Sequence, residues 1–334
     1  MKRLAGLLVA LGLAGIVAAV VLWALPADDF VFEPGNAKPL ADRVQVEGGR
    51  TPADGDVYYV DVFVRRTTRL EDLFPFLLPE GTRVIPEVEL LPPGTTEADR
   101  DRQTADDMQR SERIASAVAL RALGYDVRVT PHGALVVSVV QDVPAAKELD
   151  AGDVIVAVDG VDVRTPEELR AQVAKRKPGD AIELTVRRGG KTVTVRTRTI
   201  AAPDDPKSPR IGVLVDQEAD IKLPFDIDID LGRVGGPSAG LAFALEIARM
   251  LGRDVTKGCR IAATGELALD GSVLPVGGLE QKTIGARETD VDAFLVPSGE
   301  NAREARSHAD GLEIIPVDSF QQALRELTTS PKKC

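Results

Sequence analysis

Gly235-Gly236-Pro237-Ser238-Ala239-Gly240 runs directly into Leu241-Ala242-Phe243-Ala244-Leu245-Glu246-Ile247-Ala248-Arg249-Met250-Leu251. Read in order, a Gly-Pro turn delivers a serine to the first turn of an apolar helix. Small neighbours let another backbone approach closely, and Pro237 fixes the angle of entry. The helix end presents unpaired amides suited to an oxyanion. The same turn also reads as a plain helix cap. A phosphate loop is excluded, because no Gly-Lys-Ser/Thr follows.

A serine hydroxyl needs a base before it can attack. Of the two histidines, His132 lies far upstream and His308 sits in a polar, charged stretch. Lys282 lies 44 residues beyond Ser238, within Leu274-Pro275-Val276-Gly277-Gly278-Leu279-Glu280-Gln281-Lys282-Thr283-Ile284-Gly285-Ala286. An apolar setting disfavours the charged form of an amine, so this lysine is a candidate base. A solvated surface charge is the other reading of the same residue.

Working upstream, Phe225-Asp226-Ile227-Asp228-Ile229-Asp230-Leu231 alternates strictly, so apolar side chains share one face. A calcium loop is a poor fit, because Leu231 takes the glycine position and Pro237 the position of the closing glutamate. A half-buried strand fits better. Before it, Ala201 to Pro209 is a Pro-rich stretch poor in apolar residues, expected to be an interdomain linker over 201–209.

From Tyr125 to Thr199 the chain reads as short strands and one helix. Thr165 caps that helix, with Pro166 at its first position and Glu168 in capping-box spacing. Arg188-Gly189-Gly190-Lys191 turns a hairpin. The stretch 125–200 closely resembles a PDZ domain of the kind attached to bacterial exported proteases. The resemblance is carried by Gly133-Ala134-Leu135-Val136, Pro144-Ala145, Gly152-Asp153-Val154-Ile155 and Val158-Asp159-Gly160. It implies that Gly133, Ala134, Leu135 and Val136 form a peptide-binding loop and strand, to which an extended chain end adds. A spacer or interdomain clamp is the alternative role.

Residues 27–124 form an N-terminal region in which Val57 to Val64 reads as a strand and Ile114 to Leu123 as a helix stopped by Gly124. Leu4 to Leu25 is an uncharged apolar run after Lys2-Arg3. Its length suits one bilayer crossing of roughly 20 residues. The sequence therefore predicts a transmembrane anchor over 1–26, a cell-membrane location and an extracytoplasmic ectodomain. A cleaved signal peptide is the competing reading.

The formal net charge of −11 argues against nucleic acid as a partner. Cys259 and Cys334 are too few for a disulfide framework, and no metal site or cofactor is expected.

Four ordered motifs resemble the Lon protease catalytic domain. They are Gly236-Pro237-Ser238-Ala239-Gly240, Thr264-Gly265-Glu266-Leu267, Gly271 to Leu279, and Lys282, followed by the strand Ala293-Phe294-Leu295-Val296-Pro297. The resemblance covers about residues 210–330. It implies that Ser238 is the nucleophile and Lys282 the general base. Thr264, Glu266, Gly236 and Ala239 would support them. Gly235 stands where ATP-dependent Lon enzymes carry an acidic residue, which puts acid-mediated gating in doubt. The order anchor, PDZ, protease is similar to membrane-tethered PDZ–Lon proteases of Gram-positive bacteria. The expected fold is α+β in both domains. The expected activity is ATP-independent serine endopeptidase action on unfolded or terminus-exposed proteins, with a homo-oligomer possible. An autoprocessing assembly factor and a non-catalytic PDZ adaptor are the rival functions.

Overall fold

The computed structural model describes residues 2–329 except 51, 53, 92–94, 203, 204 and 233, with side chains from residue 10 onward. Pro203 and Asp204 of the expected linker, and Cys334, lie outside the described residues.

In chain order, the N-terminal part contributes α1 (Lys2–Ala24), β1 (Pro26–Pro39), β2 (Asp56–Thr68), β3 (Arg83–Ile85) and the long α2 (Glu97–Ala122). The middle contributes β4 (Arg128–Val139), β5 (Val154–Val158), α3 (Pro166–Val173), β6 (Ala181–Arg188), β7 (Lys191–Arg198) and β8 (Val213–Lys222). The C-terminal part contributes α4 (Gly240–Met250), β9 (Arg260–Ala263), α5 (Leu279–Glu288), β10 (Ala293–Pro297) and β11 (Glu313–Val317).

These elements form two compact units. The first takes residues 1–119, 225–267 and 271–334, and the second takes 120–224 and 268–270. The first unit is therefore discontinuous, and the N-terminal region is part of it. Its sheet has the order β11-β10-β9-β2-β1-β3. β9 pairs in parallel with both β10 and β2, which joins Arg260 to Asp56 and Ala263 to Tyr59. β1 then pairs antiparallel with β2, so the sheet is mixed. Val57 to Val64 holds the β-branched and aromatic residues that favour a pleated, half-buried strand. Over this sheet α4 is buried along its whole length. One apolar cluster joins Val60, Ala262, Leu279, Ala286 and Phe294, and so ties α5 to the sheet.

The second unit is a sheet of order β8-β4-β5-β6-β7 with α3 packed against it. Thr165 accepts from the Glu168 amide and caps α3 as its sequence dictates. Alternate residues of β4 to β6, with Leu169 and Val173 of α3, make one apolar core. The expected linker region does not separate the units. Ile200–Ala201 pairs with Pro209–Arg210, and the unit continues to Pro224.

The mixed α/β character stands, but the predicted transmembrane helix does not. Among the described residues, no helix is long and apolar enough to cross a membrane. The anchor over 1–26 and the cell-membrane location drawn from it are corrected accordingly.

Candidate active site

Gly236 has φ +91°, a left-handed conformation that glycine adopts without strain. From it Pro237–Ala239 winds one 3-10 turn and hands the chain to α4. Helix α2 braces this turn. The Gly236 amide donates to the Thr104 carbonyl at 2.8 Å, and the Ser111 hydroxyl donates to the Pro237 carbonyl at 2.9 Å. The Ser238 carbonyl accepts from the Gly265 amide at 2.8 Å and from the Thr264 hydroxyl at 3.1 Å. Four contacts from two separate segments thus fix the serine turn.

Lys282 lies in the first turn of α5, entered through Gly278 at φ +71°. The side chain points at the serine turn. Its Nζ donates to Ser238 Oγ at 2.8 Å and to Thr264 Oγ1 at 3.2 Å. Lys282 is only 4% exposed, which decides its protonation. Burial lowers its pKa from 10.5 to about 8, against an opposing pull from Asp61. Roughly a tenth of such an amine is neutral at pH 7.

Ser238 and Lys282 open onto a cavity of about 560 Å³. Its lining includes Gly235, Gly236 and Ala239, with Phe32, Tyr59, Asp61, Val62 and Phe63 of β1 and β2. The lining mixes apolar side chains with the charged groups of Lys38, Asp61, Arg100, Asp101 and Lys282. Among the described residues no group of His, Cys, Asp or Glu is disposed to hold a metal ion.

Of the residues singled out in the sequence, Ser238, Thr264 and Lys282 converge, and Gly236 and Ala239 line the cavity. Glu266 is held in a short ladder opposite Leu274 and lies outside the lining. Gly133 to Val136 lie in β4, in the other unit, in a strand paired on both flanks.

Asp61 and Lys38 were missed. Lys38 Nζ sits 2.6 Å from Asp61 Oδ2, and Asp61 Oδ1 is buried with no hydrogen-bond partner among the described residues. The available signal was a lone carboxylate inside the otherwise apolar run 57–64.

Comparison with known proteins gives the same division. Residues 121–199 match the PDZ domain, and residues 225–330 match the Lon protease (S16) C-terminal proteolytic domain. Over 116 residues the chain is 34% identical to Lon protease 2 of Bacillus subtilis (strain 168), covering 35% of this chain and 20% of that protein. Over 104 residues it is 42% identical to the Lon protease of Paraburkholderia phytofirmans, covering 30% of this chain and 12% of that one. The chain thus spans a fifth or less of the length of these two relatives. The PDZ domain of an SdrC-like protein from Listeria monocytogenes is 31% identical, covering 26% of this chain and 92% of that structure, with a TM-score of 0.25. Residues 121–199 are thus similar to the PDZ domain, and residues 225–330 to the proteolytic domain of Lon proteases.

Proposed function

We propose that the protein is a serine endopeptidase in which Ser238 attacks and Lys282 is the general base. The observation that carries this reading is the 2.8 Å approach of a buried, pKa-lowered Lys282 Nζ to Ser238 Oγ. Neutral Lys282 takes the hydroxyl proton as Oγ adds to the scissile carbonyl. Backbone amides of the Ser238–Ala239 turn, at the mouth of α4, stabilise the oxyanion. The protonated lysine then gives its proton to the leaving amine. Water, deprotonated by the same lysine, hydrolyses the acyl-enzyme. Thr264 holds the Lys282 amine and the Ser238 backbone in register through one hydroxyl.

The activity is proposed to need no nucleotide, because the 334 residues contain no Walker A lysine motif. The proposed substrates are chains already extended, the form that a cavity lined by β1 and β2 accommodates. The PDZ and protease domains both fit the binding of protein substrates.

The test is hydrolysis of an unfolded fluorogenic protein by the full chain without ATP, beside Ser238→Ala and Lys282→Ala. Cleavage by the parent and its loss in both variants is the expected result. Cleavage that persists in either variant removes that residue from the mechanism.

A further inference from the structure

A PDZ-type groove works by strand addition: a free sheet edge supplies main-chain hydrogen bonds, and pockets receive alternate side chains. In this protein the edge is already taken. β4, which carries Gly133 to Val136, is bonded on one flank by β5 through Ala134 with Ile155 and Leu135 with Val154. On its other flank β8 lies antiparallel along it from Val213 opposite Val139 to Lys222 opposite Arg128.

β8 meets each requirement of such a ligand. Its backbone completes the ladder. Val213 and Val215, two positions apart and so on one face, pack onto the apolar core formed by Ala134, Val136 and the α3 residue Leu169. Gln217 Nε2 donates to the carbonyls of Gly133 at 3.1 Å and Arg164 at 2.8 Å, which ties β8 to the loop that opens α3. Asp220 Oδ2 lies 2.8 Å from His132 Nε2 at the far end.

The seat also has two features that favour release. β8 is an edge strand, bonded on one side only. Its pairing is broken by register shifts between Leu214 and Val215 and between Glu218 and Ala219. Irregularities of this kind disrupt a ladder locally.

We propose that residues 213–222 are the built-in occupant of the PDZ groove. The site takes an extended polypeptide with apolar side chains at alternate positions, and in the resting protein that polypeptide is the chain's own β8. A second extended chain enters only when β8 has left. This does not rest on the serine–lysine reading, so either can fail without the other.

The test uses the full chain carrying Ser238→Ala, so that no probe is cut. The probe is a fluorescein-labelled peptide of sequence Val-Leu-Val-Asp-Gln-Glu-Ala-Asp-Ile-Lys, followed by anisotropy. With β8 additionally unseated by Val213→Asp and Val215→Asp, binding is expected to be at least tenfold tighter than with β8 intact. Equal binding by the two proteins, or none by the unseated one, overturns the proposal. Hydrogen exchange on the unsubstituted chain guards against a variant that merely misfolds. Amides of 213–222 are expected to exchange at least tenfold faster than those of the interior strand β6. Equal protection in the two strands makes β8 an integral strand and ends the proposal.

Discussion

Gly285 and Gly35 touch where the lysine helix crosses β1: a methyl group on Gly285 would stand 1.6 Å from the Gly35 carbonyl oxygen. No side chain fits between backbone and backbone. The helix that carries Lys282 therefore lies as close to the sheet as a glycine allows. Gly285→Ala must push α5 outward. Overpacking of this kind costs about 1–3 kcal/mol, and a displacement near 1 Å at the base costs up to about 100-fold in rate. A lowered melting temperature together with a fall in kcat/KM is expected. Unchanged values of both contradict this packing.

The pH dependence follows from the lowered pKa of Lys282. Its neutral form is the base, so kcat/KM should rise with pH and level off above an apparent pKa near 8. Asp61 opposes that lowering. Asp61→Asn removes a charge that favours the ammonium and should move the rising limb to lower pH. A pH–rate profile measured on both proteins checks the sign, and a shift to higher pH refutes the role given to Asp61.

Thr264 bridges base and nucleophile through one hydroxyl, 3.2 Å from Lys282 Nζ and 3.1 Å from the Ser238 carbonyl. Thr264→Val keeps the shape and removes the bridge. A loss of roughly 10- to 100-fold in kcat is expected, corresponding to about 1.4–2.7 kcal/mol, with KM little changed. Thr264→Ser restores the hydroxyl and should recover most of the rate. Failure of serine to rescue would assign the residue a packing role only.

Near the C-terminal end of α4, Arg249 and Glu246 form a buried ion pair, with nitrogen–oxygen distances of 2.8 and 2.9 Å. Arg249 also donates to the Gly55 carbonyl at 2.6 Å. Arg249→Leu strands a buried carboxylate and should destabilise by about 3–5 kcal/mol in urea unfolding. The double variant Glu246→Met/Arg249→Leu should lose less, because no unpaired charge remains. A single variant no less stable than the double one would contradict this account.

Ser238 and Lys282 were legible because their settings are local. A glycine-proline turn before an apolar helix and a lysine among small residues are each visible within about ten positions. Thr264 came with the motif order of the resemblance. The part of the lining from β1 and β2 was not legible. Tyr59 reaches the site only because β2 pairs with β9, about 200 residues later in the chain, and no local pattern announces such a partner. The brace from Thr104 and Ser111 was hidden for the same reason, since 97–113 reads simply as a polar stretch. The predicted anchor was drawn from the run of letters alone, and among the described residues no helix is long and apolar enough to cross a membrane.

The discontinuity of the first unit sets a clock on synthesis. β1, β2 and α2 leave the ribosome first, and their sheet partner β9 follows only after the 105 residues from 120 to 224. At roughly 5–20 residues per second the early half waits about 5–20 s, while the intervening unit has all of its main sequence and can fold. Ser238 and Lys282 both emerge after that interval. The cavity that holds the two side chains is thus completed only in the last third of translation.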